Sequence, residues 1–151
     1  MCLSVTPSYI STIDDRIKGY NDTVEKHNLN LGDEFIVPIN FSKLQEDTLS
    51  SLKKMFFMHP DIDAIYTLNN NLATATLKAL KDKSLSKYYD KVQLACFDDI
   101  ELFNLVDKPV LSVSQPVDDI GRNATLLTLD IIDGKKENKS MIVLPTSLIV
   151  R

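Results

Sequence analysis

Apolar positions along this chain alternate between the 3.6-residue spacing of helices and the short continuous runs of buried strands. Ile13, Ile17, Tyr20 and Val24 recur at helical spacing behind Ser11, a candidate cap with Asp14 three residues on as a weak capping-box partner, and Gly32 closes that region. Residues 34–37 read as a short strand. Leu44, Leu49, Leu52, Met55 and Phe56 make the apolar side of a second helix, capped by Ser42 and ended before Pro60. A buried strand follows over 64–68, then a helix over 71–83 with Leu72, Ala75, Ala79 and Leu80 on one side. The rest reads as a strand over 91–97, a short helix from Asp98 and Asp99 through Leu105, a strand over 110–113 and a helix over 118–133 stopped by Gly134. An extended run over 141–150, interrupted by Pro145, closes the chain.

This alternation predicts an α/β fold, a mostly parallel sheet flanked by helices. In such sheets ligands bind beyond the carboxyl ends of the strands. That rule selects Phe41, Asn69, Asp98 and Gln115: a ring, an amide, a carboxylate and an amide. One element fits poorly. In the 118–133 helix Ile120, Ala124, Leu127 and Ile131 form a stripe, but Leu126, Leu129 and Ile132 spread apolar surface around the cylinder. Such a helix expects cover on several sides.

Composition narrows the function. With 151 residues, 44% hydrophobic and 25% charged, the chain can bury a full core. Its net charge is −4, and Lys53-Lys54 and Lys135-Lys136 are mere pairs. Such a chain makes a poor nucleic-acid binder on its own, since useful affinity needs several phosphate contacts. Cys2, expected at a frayed end, and Cys96, expected in the core, do not suggest a disulfide, and His27 and His59 lack the neighbours of a metal site, so no metal or cofactor is expected. No signal peptide or stretch of transmembrane length is seen, so the sequons at Asn21, Asn40, Asn123 and Asn138 read as chance. Four glycines and no Gly-rich loop argue against a nucleotide cofactor. The pair Asp98-Asp99 is the best suggestion of catalysis, but it has no third acid or poised base, and no enzyme is expected.

Five stretches, in order, resemble signatures of the LacI/GalR family of transcriptional regulators. Arg16-Ile17-Lys18-Gly19-Tyr20 resembles its Arg-x-x-Gly-aromatic motif. The strand ending in Leu68-Asn69-Asn70 resembles its Asn-Asp strand end, with Asn70 in place of the Asp. Cys96-Phe97-Asp98-Asp99 resembles its Gly-aromatic-Asp-Asp end, with Cys96 in place of the Gly. Val113-Ser114-Gln115-Pro116, followed by Ile120-Gly121, resembles the Val-x-Gln-Pro…Gly signature. Leu144-Pro145-Thr146-Ser147-Leu148-Ile149-Val150-Arg151 resembles the closing Leu-Pro-x-x-Leu-x-x-Arg.

The resemblance implies one lobe of a type I periplasmic-binding-protein-like sensor domain. Residues 1–116 would form the carboxyl-terminal lobe, 117–138 a helix of a missing amino-terminal lobe, and 139–151 a segment returning to the first lobe. It implies a small effector, a sugar or sugar derivative, held by Arg16, Phe41, Asn69, Asp98 and Gln115, with Thr12 a weaker candidate. It also implies a cytoplasmic homodimer, with the 71–83 helix (Leu72, Thr74, Ala75, Leu80) either a dimer contact or ordinary core, and DNA bound only through an absent amino-terminal domain. Sugars suit this set, because Arg16 and Asp98 can each engage two hydroxyls and Phe41 can cover a ring face. Bland readings stand beside each: Asp98 or Asp99 as helix caps (the cap is preferred for Asp99), Arg16 as a solvated charge, Phe41 as a core ring or staple, Asn69 as a strand terminator and Gln115 as a hinge residue. A solute-binding protein of a transport or sensor system is the alternative function.

Overall fold

A computed structural model describes residues 1–7, 11–135 and 141–151. Six strands form one sheet in the order β2-β1-β3-β4-β5-β6. They are β1 (Cys2–Thr6), β2 (Ile36–Asn40), β3 (Ala64–Thr67), β4 (Gln93–Phe97), β5 (Val110–Ser114) and β6 (Ser147–Ile149). The first five run parallel; β6 pairs antiparallel with β5, Val113 opposite Leu148. The helices are α1 (Ser11–Lys26), α2 (Leu44–Met58), α3 (Asn70–Leu80), the single turn α4 (Ser86–Tyr89) and α5 (Val117–Ile132). The α/β class and the mostly parallel sheet expected from the pattern are both present.

The first strand corrects the sequence reading. Cys2 is fully buried, and β1 lies inside the sheet, between the edge strand β2 and β3. Cys2, Leu3 and Val5 supply the apolar run of a strand covered on both faces. The strand expected at 34–37 forms slightly later, at Ile36–Asn40, after a 3-10 turn over Asp33–Phe35. Pro38 is tolerated there because β2 is an edge, where a missing N–H costs no ladder bond.

Two capping assignments also change. Before α2 the Asn40 side chain, not Ser42, makes the cap: its Oδ1 accepts from the Ser42 N–H at 3.0 Å and hydroxyl at 2.8 Å. This local turn is available to Asn because its short amide reaches the backbone two residues on. Asp99 caps nothing; the 3-10 turn Glu101–Asn104 follows Ile100 without a side-chain cap.

One face of the sheet carries the core. Ile65, Leu94 and Val110 lie there beneath α2 and α3, which supply Leu52, Met55, Phe56, Leu72 and Leu80. Leu72, Ala75 and Leu80 are fully buried within this single chain. They are core, and of the four residues considered for a dimer contact only Thr74 keeps exposure. Truncating Leu94, fully buried on a central strand, is expected to cost about 2–5 kcal/mol, read from urea denaturation of Leu94→Ala. Both cysteines are buried and free, and burial pushes each thiol up to about 12. Neither should react with a thiol reagent in the native protein at neutral pH, and both should react on unfolding.

The opposite face is covered unevenly. Helix α1 packs on β1, while Tyr66, Ala95, Leu111 and Val113 remain only partly covered. Helix α5 has no buried residue at all; Ile120, Leu126, Leu129 and Ile132 are 42 to 73% exposed. It ends at Gly134, whose φ of +69° suits glycine. Among the described residues no helix is long and apolar enough to cross a membrane.

Candidate functional site

Three of the expected residues meet where α1 crosses the ends of β3, β4 and β5. Arg16, on α1, donates from Nη1 to the Leu68 carbonyl at 2.6 Å, just past the end of β3. The same nitrogen lies 3.8 Å from the Asp98 carboxylate, and the guanidinium sits 3.9 Å over the Phe97 ring. Gln115, just past β5, donates from Nε2 to the other Asp98 oxygen at 2.5 Å. The Arg16 and Asp98 side chains are 15 and 25% exposed, enough to be reached by a ligand and little enough for their interactions to escape full solvent screening.

Asp98 is held in an unusual conformation. Its φ is +89°, in the region that L-residues rarely adopt, and its N–H donates to the Val113 carbonyl at 3.1 Å. Such strain, of order 1–3 kcal/mol, collects at functional sites. Here it turns the carboxylate toward Arg16 and Gln115, while Asp99 turns the other way. Asp99 binds Arg151 at 2.9 Å and accepts from the Ser112 hydroxyl at 2.6 Å. The two neighbouring acids thus serve two different networks.

The remaining candidates are placed less tightly. The Asn69 carbonyl oxygen caps α3, accepting from the Leu72 N–H at 2.9 Å, which leaves its amide N–H groups to donate elsewhere. Asn69→Ala is therefore expected to lose about 1 kcal/mol of stability whatever its part in binding, a loss that thermal denaturation would register. Phe41 opens the turn after β2 and is 54% exposed, so it is not a core ring.

Thr12, Arg16 and Gln115 line a cavity of about 630 Å³ together with Asp15, Tyr20, Tyr66, Ala95 and Phe97. A second cavity of about 590 Å³ shares Tyr20, Thr23, Tyr66 and Ala95 with it, so the two form one groove along α1 over the partly covered sheet face. Phe41, Asn69 and Asp98 do not line this groove; of the three, Asp98 contacts Arg16. The Tyr66 phenol is pushed up to about 12, mainly by burial.

Sequence reasoning missed Phe97 as the platform under Arg16, although it stands beside Asp98 in the quoted motif. It also missed Arg151, quoted only as part of the closing pattern. The described residues contain no cluster of His, Cys, Asp or Glu that could hold a metal.

The chain is similar to known proteins in sequence and fold. The periplasmic binding protein-like domain matches residues 1–151, the whole chain. The ribose operon repressor of Halalkalibacterium halodurans is 27% identical over 147 residues, covering 96% of this chain and 42% of that protein. A regulatory protein of the LacI family from Chloroflexus aggregans superposes with a TM-score of 0.82 at 23% identity, covering 99% of this chain and 53% of that one. A transcriptional regulator CelR–cellobiose complex gives 0.80 at 21% identity, over 99% and 45%. The chain spans about two fifths of the length of the curated relatives it matches.

Proposed function

We propose, from the premise that this chain belongs to the periplasmic binding protein-like domain family and resembles LacI/GalR-type sensor domains, that it forms part of the effector-sensing unit of a transcriptional repressor. It binds a small effector, a sugar or sugar derivative, in a cleft between two lobes. The observation that carries this reading is the convergence of Arg16, Asp98 and Gln115 at the carboxyl ends of β3, β4 and β5. Parallel sheets bind ligands at that end, and these groups offer paired donors and acceptors to hydroxyls. Asn69 adds free amide donors and Phe41 an exposed ring; Thr12 stands one helical turn before Arg16.

The lobe organisation follows as part of the same proposal. Residues 1–116 make one lobe and β6 returns to it; the expected boundary at 138–139 falls outside the described residues. Helix α5 belongs to the other lobe, which is why none of its apolar residues is fully buried here. Effector held between the lobes favours one closure state and so changes the geometry of a cytoplasmic dimer that reads DNA through another segment. The names of the relatives favour this over a solute carrier for transport.

Calorimetric titration of the protein as its gene encodes it with D-ribose and cellobiose, beside an Asp98→Ala variant, tests the reading. A saturable heat lost in the variant is the expected result. Binding that survives loss of the carboxylate would place the effector elsewhere.

A further inference from the structure

The backbone of Asp98 needs a restraint. Its φ of +89° is a conformation that a residue with a Cβ leaves unless its surroundings hold it there. On the amino-terminal side the sheet supplies the hold. Phe97 pairs with Val113 in the ladder, and the Asp98 N–H donates to the Val113 carbonyl at 3.1 Å. Gln115 and Arg16 engage only the Asp98 side chain, which does not fix the course of the chain beyond it.

On the carboxyl-terminal side the anchor is the side chain of Asp99. Its carboxylate accepts from the Ser112 hydroxyl at 2.6 Å and lies 2.9 and 3.2 Å from Arg151 Nη2. Arg151 is fixed at two further points, donating to Ser112 Oγ at 2.9 Å and to Asn104 Oδ1 at 2.8 Å. Ser112 is buried. The guanidinium, which stands just past β6, therefore ties together β5, the turn Glu101–Asn104 and the residue that follows Asp98. Adjacent residues of β5 thus hold both sides of the strained position: Val113 by its carbonyl, Ser112 by its hydroxyl.

We propose that Arg151 is a positioning residue for the effector site: through Asp99 it keeps Asp98 in its left-handed conformation, with the carboxylate on Arg16 and Gln115. The inference rests on the effector-site reading above and adds to it a residue that touches no effector. The dihedrals of Asp98 set the direction in which the chain leaves toward Asp99. A return to negative φ moves Asp99 off Ser112 and Arg151, so it is opposed for as long as they grip the carboxylate. Without Arg151 the grip shrinks to one hydroxyl, and Asp98 is free to relax and carry its carboxylate out of the cluster.

The test compares the protein as encoded with Arg151→Ala, Arg151→Lys and Leu52→Ala. Leu52, fully buried on α2, is the control for lost stability alone. Two readouts are taken: the NMR scalar couplings of Asp98, which report its φ without any ligand, and calorimetric titration with D-ribose and cellobiose. Positive φ at Asp98 is expected in the protein as encoded and in Leu52→Ala, and is lost in Arg151→Ala. Affinity for the sugar that binds should fall about 10- to 100-fold in Arg151→Ala, as the competent conformer becomes the minor one, and stay unchanged in Leu52→Ala. Arg151→Lys should fall between, because an ammonium can pair with Asp99 but cannot also span Ser112 and Asn104; it carries the comparison should Arg151→Ala not fold. Couplings of Asp98 that are the same with and without Arg151, or equal affinity losses in Arg151→Ala and Leu52→Ala, would overturn the inference and leave Arg151 as a fastening for β6. Silence of both sugars with the protein as encoded would count against the effector-site reading instead, and the Asp98 couplings alone would then uphold or overturn the hold of Arg151 on Asp98.

Discussion

Asp99→Ala is expected to destabilise the folded chain by about 2–4 kcal/mol and to release its last strand. The magnitude follows from what the carboxylate holds. Arg151 Nη2 lies 2.9 and 3.2 Å from the two Asp99 oxygens. Its Nη1 donates to Ser112 Oγ at 2.9 Å and its Nε to Asn104 Oδ1 at 2.8 Å, with the guanidinium 5.9 Å over the Phe103 ring. The Arg151 and Asp99 side chains are only 17 and 23% exposed, so this is not a solvated surface pair. Deleting the acid strands a half-buried cation and a buried hydroxyl together. Strand β6 has little else to keep it in register: it is three residues long, an edge, and Leu148 and Val150 are exposed. Urea denaturation should report the loss, and amide exchange at Ser147–Ile149 should accelerate well beyond that of β4. Replacing Asp99 and Arg151 together by leucine should cost less than the sum of the single changes, because neither charge is then left alone. A loss under about 0.5 kcal/mol with β6 protection intact would mean the cluster behaves as an ordinary surface pair.

This clamp shows where sequence reading succeeds and where it stops. The alternation of strand and helix was legible over β2 to β5 because those strands are short, mostly apolar runs and the helices between them carry an apolar stripe, so two different periods mark them. Asp98 and Gln115 were legible from the rule that singles out strand ends in a parallel sheet, and Arg16, on α1, only from the family resemblance; the three do come together. The misfit of α5 was legible too, since apolar surface around a helix must be covered by something and here the chain does not cover it. What failed depended on partners far away in sequence. Cys2 is buried because β2 and β3 flank it, and they arrive 34 and 62 residues later; nothing in its five-residue strand announces an interior position. Asp99 looked like a helix cap because capping is decided locally, whereas its actual partner Arg151 lies 52 residues on. The Ser42 assignment failed for a smaller reason: Asn40 competes for the same backbone N–H with a side chain of the right reach.

Arg16→Ala is expected to lower effector affinity at least about 100-fold and to cost about 1–3 kcal/mol of stability as well. Both losses have a source in the structure. The guanidinium ties α1 to the end of β3 through the Leu68 carbonyl and to the end of β4 through Asp98, and it lies over the Phe97 ring. Helix α1 otherwise buries only Ile13 fully, so this tether carries much of its placement. Without it the strained Asp98 loses its counter-charge and keeps only Gln115. Arg16→Lys separates charge from geometry. A lysine restores the positive charge but cannot donate in parallel from a plane or stack on the ring as a guanidinium does. It should therefore recover part of the stability and less than about a tenth of the affinity. Calorimetric titration with the best-binding neutral sugar, run beside thermal denaturation of each variant, reads the two effects independently. Full affinity in Arg16→Lys would reduce Arg16 to a point charge. Full affinity in Arg16→Ala would take it out of the site and leave it as the tether between α1 and the sheet.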